Sequence, residues 1–467
     1  MDKFYITTPI YYVNDKPHIG SAYPTIAADV LARFYRAAGV PTFFLAGTAE
    51  HGTKIENSAK QAGKNIQEFV DENSAKFSLA WDILEISNDD FIRTTEDRHE
   101  QAVVSFFEKL KASGKVYEGE YEGLYCVGHE SFVKEGDLVG GLCPDHKTKP
   151  ERVKEKNWFF KLSDYTGILK SKIESGEFAI EPESRRNEIL SFIAQGLEDI
   201  AISRQNVRWA IPLPWDKSQT IYVWLDELYN YVSAGGKNWP ADLHIVGKDI
   251  IKFHCIIWPA LLEAVGLPWP RKVFAHGFFT IDGQKISKTL GNAIDPVELA
   301  QKYGADAVRY FLLREIPFGQ DGDFSIKKLE ARYEGDLANG LGNLFSRLAT
   351  LVAQNLAGKI PDIVESPKDL SAVDKLTQDL KFHEALARIW EQIAWANKYI
   401  DETKPWELVK KDPKLFAEVI SSLAALLCEI ALKLAPYLPE TAEQIRSALS
   451  AEKIVKPEPL FPRFNVD

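Results

Sequence analysis

Methionine is nearly missing from this chain: Met1 is the only one in 467 residues. A protein of this length ordinarily carries several more, so the deficit reflects either the bias of a lineage or deliberate replacement. Cysteine is scarce as well. Cys126, Cys143, Cys255 and Cys428 are too few and too scattered to frame a disulfide-built fold. No apolar run reads as long enough to span a bilayer, which predicts no membrane association. Asp2-Lys3-Phe4 leads straight into an expected strand and leaves no room for a signal peptide, so the expected location is the cytoplasm. No internal repeat or low-complexity tract interrupts the chain. A basic excess is missing too. The net charge of −11 argues against binding nucleic acid through bulk charge, although screening confines each phosphate contact to about 10 Å and leaves room for a local patch.

What is present is a chain built for a core, with 45% apolar and 12% aromatic residues. Its length implies two or three domains of roughly 100–200 residues each. Residues 4–9 and 42–48 read as buried strands, separated by a helix from Ser21 to Ala38 that Gly39 closes. That is a βαβ unit of a parallel sheet. Further helices are expected over 64–80 and 97–113. Between Tyr117 and Asn206 the glycines Gly119, Gly123, Gly128, Gly136, Gly140 and Gly141 cluster ahead of a charged stretch, which reads as an insertion with its own small module. Strand signals return at Thr220–Trp224, Leu243–Gly247 and Lys272–His276, so the parallel sheet resumes. After Gly291 apolar residues recur at helical spacing over 337–351, 376–399 and 415–435, the pattern of an antiparallel bundle.

Two short words carry the chemistry. Pro17-His18-Ile19-Gly20 opens the first helix, whose free N–H groups and positive dipole end suit an anion. Lys285-Ile286-Ser287-Lys288-Thr289 places two lysines on a loop between Gly283 and Gly291. Each alone is commonly a solvated surface feature. Together they form a clamp for a nucleoside triphosphate, suited to attack on the α-phosphate as pyrophosphate leaves. Gly20 would let an adenine pack at the helix start, and Asp249, after Gly247-Lys248 at a strand end, would accept from ribose hydroxyls.

Tyr11, Tyr12, Trp224, Tyr231, Phe253 and Trp258 could all be core. With His254 as one polar handle, however, they suggest a pocket for a small, polarizable, uncharged side chain. Cys126-Val127-Gly128-His129 and Cys143-Pro144-Asp145-His146 have the spacing of a closed tetrahedral zinc site. The alternative is a degenerate knuckle without metal.

At these residues the chain resembles the methionyl-tRNA synthetases, class I aminoacyl-tRNA synthetases, over nearly its whole length. Further matching stretches are Thr8–Tyr12, Gly47-Thr48-Ala49-Glu50-His51-Gly52, Ser203-Arg204, Tyr222–Asp226, Gly247–Asp249, Asn343-Leu344-Phe345-Ser346-Arg347 and Lys404-Pro405-Trp406. The resemblance implies an α/β fold, a Rossmann-type parallel sheet split by a connective insertion with a zinc-knuckle-like module, then an all-α anticodon-binding bundle. The implied boundaries are 1–116 and 207–275 for the two halves of the catalytic domain, 117–206 for the insertion, 276–335 for the loop and stem-contact region, and 336–467 for the bundle. The resemblance assigns methionine to Ile10, Tyr12, Trp224, Tyr231, Ile250, His254 and Trp258. ATP falls to His18, Gly20, Ser21, Asp249, Lys285 and Lys288, with His18 and the two lysines catalytic. The anticodon falls to Asn343, Arg347, Pro405 and Trp406, and one structural zinc ion to Cys126, His129, Cys143 and His146. ATP and Mg²⁺ are the implied cofactors, initiator and elongator tRNA(Met) the partners, and a monomer the expected state.

Several positions depart from the family pattern. Ala49 stands where an aspartate usually partners the amino acid's ammonium, and Glu227 stands beside the pocket where a small residue is usual. Glu227 is the candidate compensator. Ser21 replaces the last histidine of the first word but keeps a hydroxyl, and Ile286 replaces the methionine of the second with little change in volume. These departures motivate an alternative: a noncatalytic tRNA-binding paralogue, or an engineered variant with impaired activation.

Overall fold

The structure is a computed structural model describing residues 2–144, 147–281, 283–285, 293–361 and 365–463. The chain divides into two compact units. One comprises Met1–Pro17, Gly39–Ala80 and Ser87–His276, the other His18–Ala38, Trp81–Ile86 and Gly277–Asp467.

In the first unit Phe4–Thr7 is buried along its whole length, as a strand covered on both faces must be. It lies inside a seven-stranded parallel sheet in the order Tyr11–Tyr12, Thr42–Ala49, Phe4–Thr7, Leu243–Gly247, Lys272–His276, Ala179–Glu181, with Asp90–Arg93 also paired to Thr42–Ala49. Ile6 pairs with Leu243 and Thr7 with His244. The residues that follow both strands, 8–13 and 248–254, therefore flank one crevice outside the strand carboxyl ends, where open α/β sheets bind ligands. The expected insertion carries its own antiparallel sheet, Ser131–Val133, Val116–Cys126, Glu151–Phe160 and Ile200–Ala201. It also returns one strand, Ala179–Glu181, to the parallel sheet.

One expected strand is corrected. Asp216–Ile221 pairs antiparallel with Ser203–Arg204 and Pro212–Leu213 in a separate small sheet, outside the parallel one. Tyr222 is the last extended residue, and Val223–Ser233 is a helix with Asp226 in its first turn. An acid there complements the helix dipole, and the aromatic and branched residues before it fit a strand equally well. Trp224, Glu227 and Tyr231, spaced by three and four, thus share one helical face.

In the second unit the helix Ile19–Ala37 is anchored by its own neighbours. Ile19 donates its N–H to the Ile294 carbonyl at 3.0 Å, and the Tyr23 ring packs edge-on against Phe279 and Phe318 at 4.8 and 5.1 Å. Phe279–Ile281 pairs with Gln284–Lys285, so this unit holds both the His18 word and the hairpin that leads into the lysine loop. Lys288 lies outside the described residues. Helices then dominate, including Asn343–Asn355, Phe382–Thr403 and Pro413–Leu434, and the last of them is Pro439–Ser450. Pro413–Leu434 overturns the expectation on apolar runs, since its length and composition would suffice to cross a membrane. Phe416, Ile420, Leu423, Leu427, Ile430 and Leu434 are buried within the bundle, as in a core helix of a folded domain.

Candidate active site

The crevice of the first unit is walled by stacked aromatics. The Trp224 and Phe253 rings lie 4.0 Å apart at 13°, and Tyr12 meets Trp224 edge-on at 6.4 Å. Phe253–Ile257 forms a single π-helical turn ahead of the helix Trp258–Ala264, and this turn presents both Phe253 and His254. His254 Nδ1 donates to the Ile250 carbonyl at 3.0 Å, which leaves Nε2 to accept from the Tyr231 hydroxyl at 2.8 Å. Burial lowers the His254 pKa to about 4, so the ring is neutral at pH 7. The pocket thus offers flat apolar walls and no cation among these side chains. Ile10 is buried and Ile250 half-buried at the same strand ends. Trp258, expected to contact the ligand, is wholly buried and packs beside Tyr231, with ring centroids 6.4 Å apart.

At the nucleotide motif, His18 is the N-cap of its helix, and its Nδ1 accepts from the Gly20 N–H at 3.0 Å. A Cβ on Gly20 would lie 2.8 Å from the His18 ring, so a side chain there would displace that ring from its bond to the Gly20 N–H. Ser21, expected among the phosphate donors, is corrected. It is buried, donates to the His18 carbonyl at 2.7 Å and accepts from the His18 N–H at 3.1 Å, completing a capping box. Asp249 is exposed beyond the strand Leu243–Gly247.

Sequence reasoning missed a buried network beneath the pocket. Asp226 Oδ2 bonds His51 Nδ1 at 2.7 Å and Asp226 Oδ1 bonds His99 Nε2 at 2.7 Å, while His99 Nδ1 reaches Ser233 at 2.8 Å. Burial alone would lower the His51 pKa. The charge and bond of Asp226, with Glu100 behind, outweigh it and hold His51 at about 9. Burial would likewise raise Asp226, but the two histidines hold it at about 2. Nearby, Glu50 accepts from Arg93 through both oxygens and from Thr48.

The knuckle fits a metal. One ligand atom each from Cys126, His129 and Cys143 lies within 4.8 Å of the others, and both thiols are buried. His146, the expected fourth ligand, lies outside the described residues. The backbone of this turn also holds the pocket. Trp224 Nε1 donates to the His129 carbonyl at 3.0 Å and the Tyr222 hydroxyl to the Glu130 carbonyl at 2.6 Å. A Cys143→Ser variant is expected to lose bound zinc and to melt at lower temperature; unchanged zinc in elemental analysis would refute the site.

In the bundle, Asn343 donates to Asn397 at 3.0 Å and Arg347 to Asp401 at 2.6 Å, a two-rung ladder between helices. Trp406 is 49% exposed, enough for one face to receive a base. Pro405, expected to read the anticodon, is buried at the first turn of Pro405–Lys411, where its fixed φ sets the helix that presents Trp406.

The chain matches two family models: "tRNA synthetases class I (M)" over residues 4–153 and 146–349, and "Anticodon binding domain of methionyl tRNA ligase" over 359–462. It is 45% identical to a methionine–tRNA ligase of Thermotoga maritima across 97% of this chain and 76% of that protein. It is 42% identical to that of Rickettsia felis across 99% of both. A Mycobacterium tuberculosis methionyl-tRNA synthetase solved with methionyl-adenylate superposes with a TM-score of 0.93 at 37% identity, covering 99% of this chain and 100% of that one. A split parallel sheet with an aromatic crevice at its switch point, the His18 cap and a C-terminal helical bundle define a class I aminoacyl-tRNA synthetase. Within that class, the chain belongs to the methionine–tRNA ligase family.

Proposed function

We propose that the protein joins methionine to ATP as methionyl-adenylate, releasing pyrophosphate, and then transfers the methionyl group to the 3′ end of initiator and elongator tRNA(Met). The observation that carries this reading is the pocket: a neutral His254 held by Tyr231, beside the Trp224–Phe253 stack. A thioether is apolar and polarizable and packs well on aromatic faces, whereas a cationic side chain would find no partner at His254.

Ile10, Tyr12, Trp224, Tyr231 and Ile250 shape that cavity. His18, Gly20, Lys285 and Lys288 are assigned to the triphosphate and Asp249 to the ribose. The two lysines oppose the charge that builds on departing pyrophosphate. Mg²⁺, carried mainly on the phosphates and needing few protein ligands, would share that charge. Zinc held by Cys126, His129, Cys143 and His146 would be structural, since four protein ligands leave no open position. The domain boundaries given above, a cytoplasmic location and a monomeric state belong to the same proposal.

Methionine-dependent ATP–pyrophosphate exchange tests it, with norleucine, cysteine and isoleucine as competitors. Robust exchange is expected with methionine; tRNA binding without exchange would favour the noncatalytic alternative. Trp406 and the Asn343–Arg347 ladder are assigned to the anticodon. Losing one stacked base costs about 1–3 kcal/mol, so Trp406→Ala is expected to raise the KM for tRNA by roughly five- to a hundredfold. Pyrophosphate exchange should be unchanged, and a parallel loss of exchange would contradict the assignment.

A further inference from the structure

We infer that Glu227 is the counter-ion that receives the α-ammonium group of the amino-acid substrate. The inference rests on the pocket's being the amino-acid site, as proposed above, and deepens it by naming which side chain holds the charged end.

Among the described residues, the other buried carboxylates at or beneath this pocket are committed. Asp226 is divided between His51 and His99. Glu130 accepts from the Lys54 N–H and the Tyr125 hydroxyl. Glu50 is held by Arg93, Thr48 and Thr95. Glu227 differs: it is 6% exposed, and its Oε1 has no hydrogen-bond partner. It shares a helical face with Trp224 and Tyr231, the two pocket walls, so it points into the cavity and away from the network beneath.

Tyr12 completes the corner. Its buried hydroxyl lies against the Glu227 carboxyl, close enough to act on it as a donor though short of a fully formed hydrogen bond. Tyr12 is paired along the strand edge with Ala49, whose methyl group brings neither charge nor donor to the spot. Burial, with Asp226 and Glu130 nearby, pushes the Glu227 carboxyl well above the usual carboxylate range, so it stays neutral until a positively charged donor faces it and lets it ionise. The corner therefore calls for a compact group with several N–H donors and a positive charge, which is what a primary ammonium supplies. The neighbouring cation, Lys54, sits 5.1 Å over the Tyr12 ring. His254, across the cavity, is neutral.

The test compares methionine, methioninol (ammonium kept, carboxylate lost) and 4-(methylthio)butanoate (ammonium lost), using tryptophan fluorescence on the full chain. Wild type should bind methioninol measurably and reject the amine-free acid. Glu227→Gln should weaken methionine about ten- to a hundredfold, the loss of one charge-assisted bond, with the KM for ATP unchanged. It should also erase the discrimination between the two analogues. Adding Ala49→Asp to Glu227→Gln places a carboxylate on the strand partner of Tyr12 and should restore part of the affinity. If Glu227→Gln binds methionine as wild type does, or still rejects the amine-free acid, the assignment is wrong while the ligase reading stands. If the variant does not fold, the wild-type comparison decides: equal binding of the two analogues overturns the inference. Wild type that gives no methionine-dependent exchange removes the ligase reading, and this inference with it.

Discussion

Asp226→Asn is expected to destabilise the protein by about 3 kcal/mol, the scale of breaking one side of a buried ion pair. The asparagine keeps the shape but removes the charge that holds His51 at about 9. The pH dependence separates this loss from simple packing damage. His51 has its pKa raised on folding, so its contribution is full below the unfolded value of 6.5 and is lost as pH rises through about 9. Asp226 has its pKa lowered, so its contribution is present above 3.8 and is lost as pH falls through about 2. Wild type should therefore melt at a lower temperature at about pH 9.5 than at about pH 6, and Asp226→Asn should flatten that difference. A variant that melts lower but keeps the full alkaline slope would place the slope elsewhere.

Arg309→Met is expected to cost about 3–5 kcal/mol, read as a shift of the urea midpoint. Arg309 is fully buried in the second unit. It donates to the carbonyls of Tyr437 at 2.8 Å, Leu84 at 3.1 Å and Pro436 at 2.9 Å, and to Asp29 at 2.7 Å. Methionine fills similar volume but strands those acceptors and removes one of the cations facing buried Asp29, which keeps its ion pair with Arg33 at 2.8 Å. Arg33 is 27% exposed, and Arg33→Met should cost under about 1 kcal/mol. Equal effects at the two positions would mean that burial of Arg309 is not what sets its worth.

The parallel strands were legible because double burial writes them as continuous apolar runs, as in Phe4–Thr7 and Leu243–Gly247. Helix Ile19–Ala37 was legible through its cap and period. Thr220–Trp224 misled because its residues suit either state, and only the acid at Asp226 marks the helix start. Among the candidate residues, the motifs drew attention to His18, Trp224 and His254. They could not reveal that Ser21 is spent on the helix cap, or that Asp226 is shared with His99, 127 residues away in sequence. Such pairings arise from tertiary approach and leave no spacing to read. Arg309 was invisible for the same reason: an isolated arginine in a helix ordinarily reads as surface.

The π-helical turn at Phe253–Ile257 makes chain length at this point of the fold matter. One residue more than an α-helical turn requires is accommodated there, and removing it would let the backbone relax into ordinary helix. That relaxation would swing the preceding side chains by about 100° relative to those that follow, taking Phe253 off Trp224 and His254 off Tyr231. A shorter helix would be locally more regular and blind to its substrate. Length variation among descendants of this chain should therefore collect in the surface glycine turns and spare these five residues, where regular geometry and recognition demand opposite things.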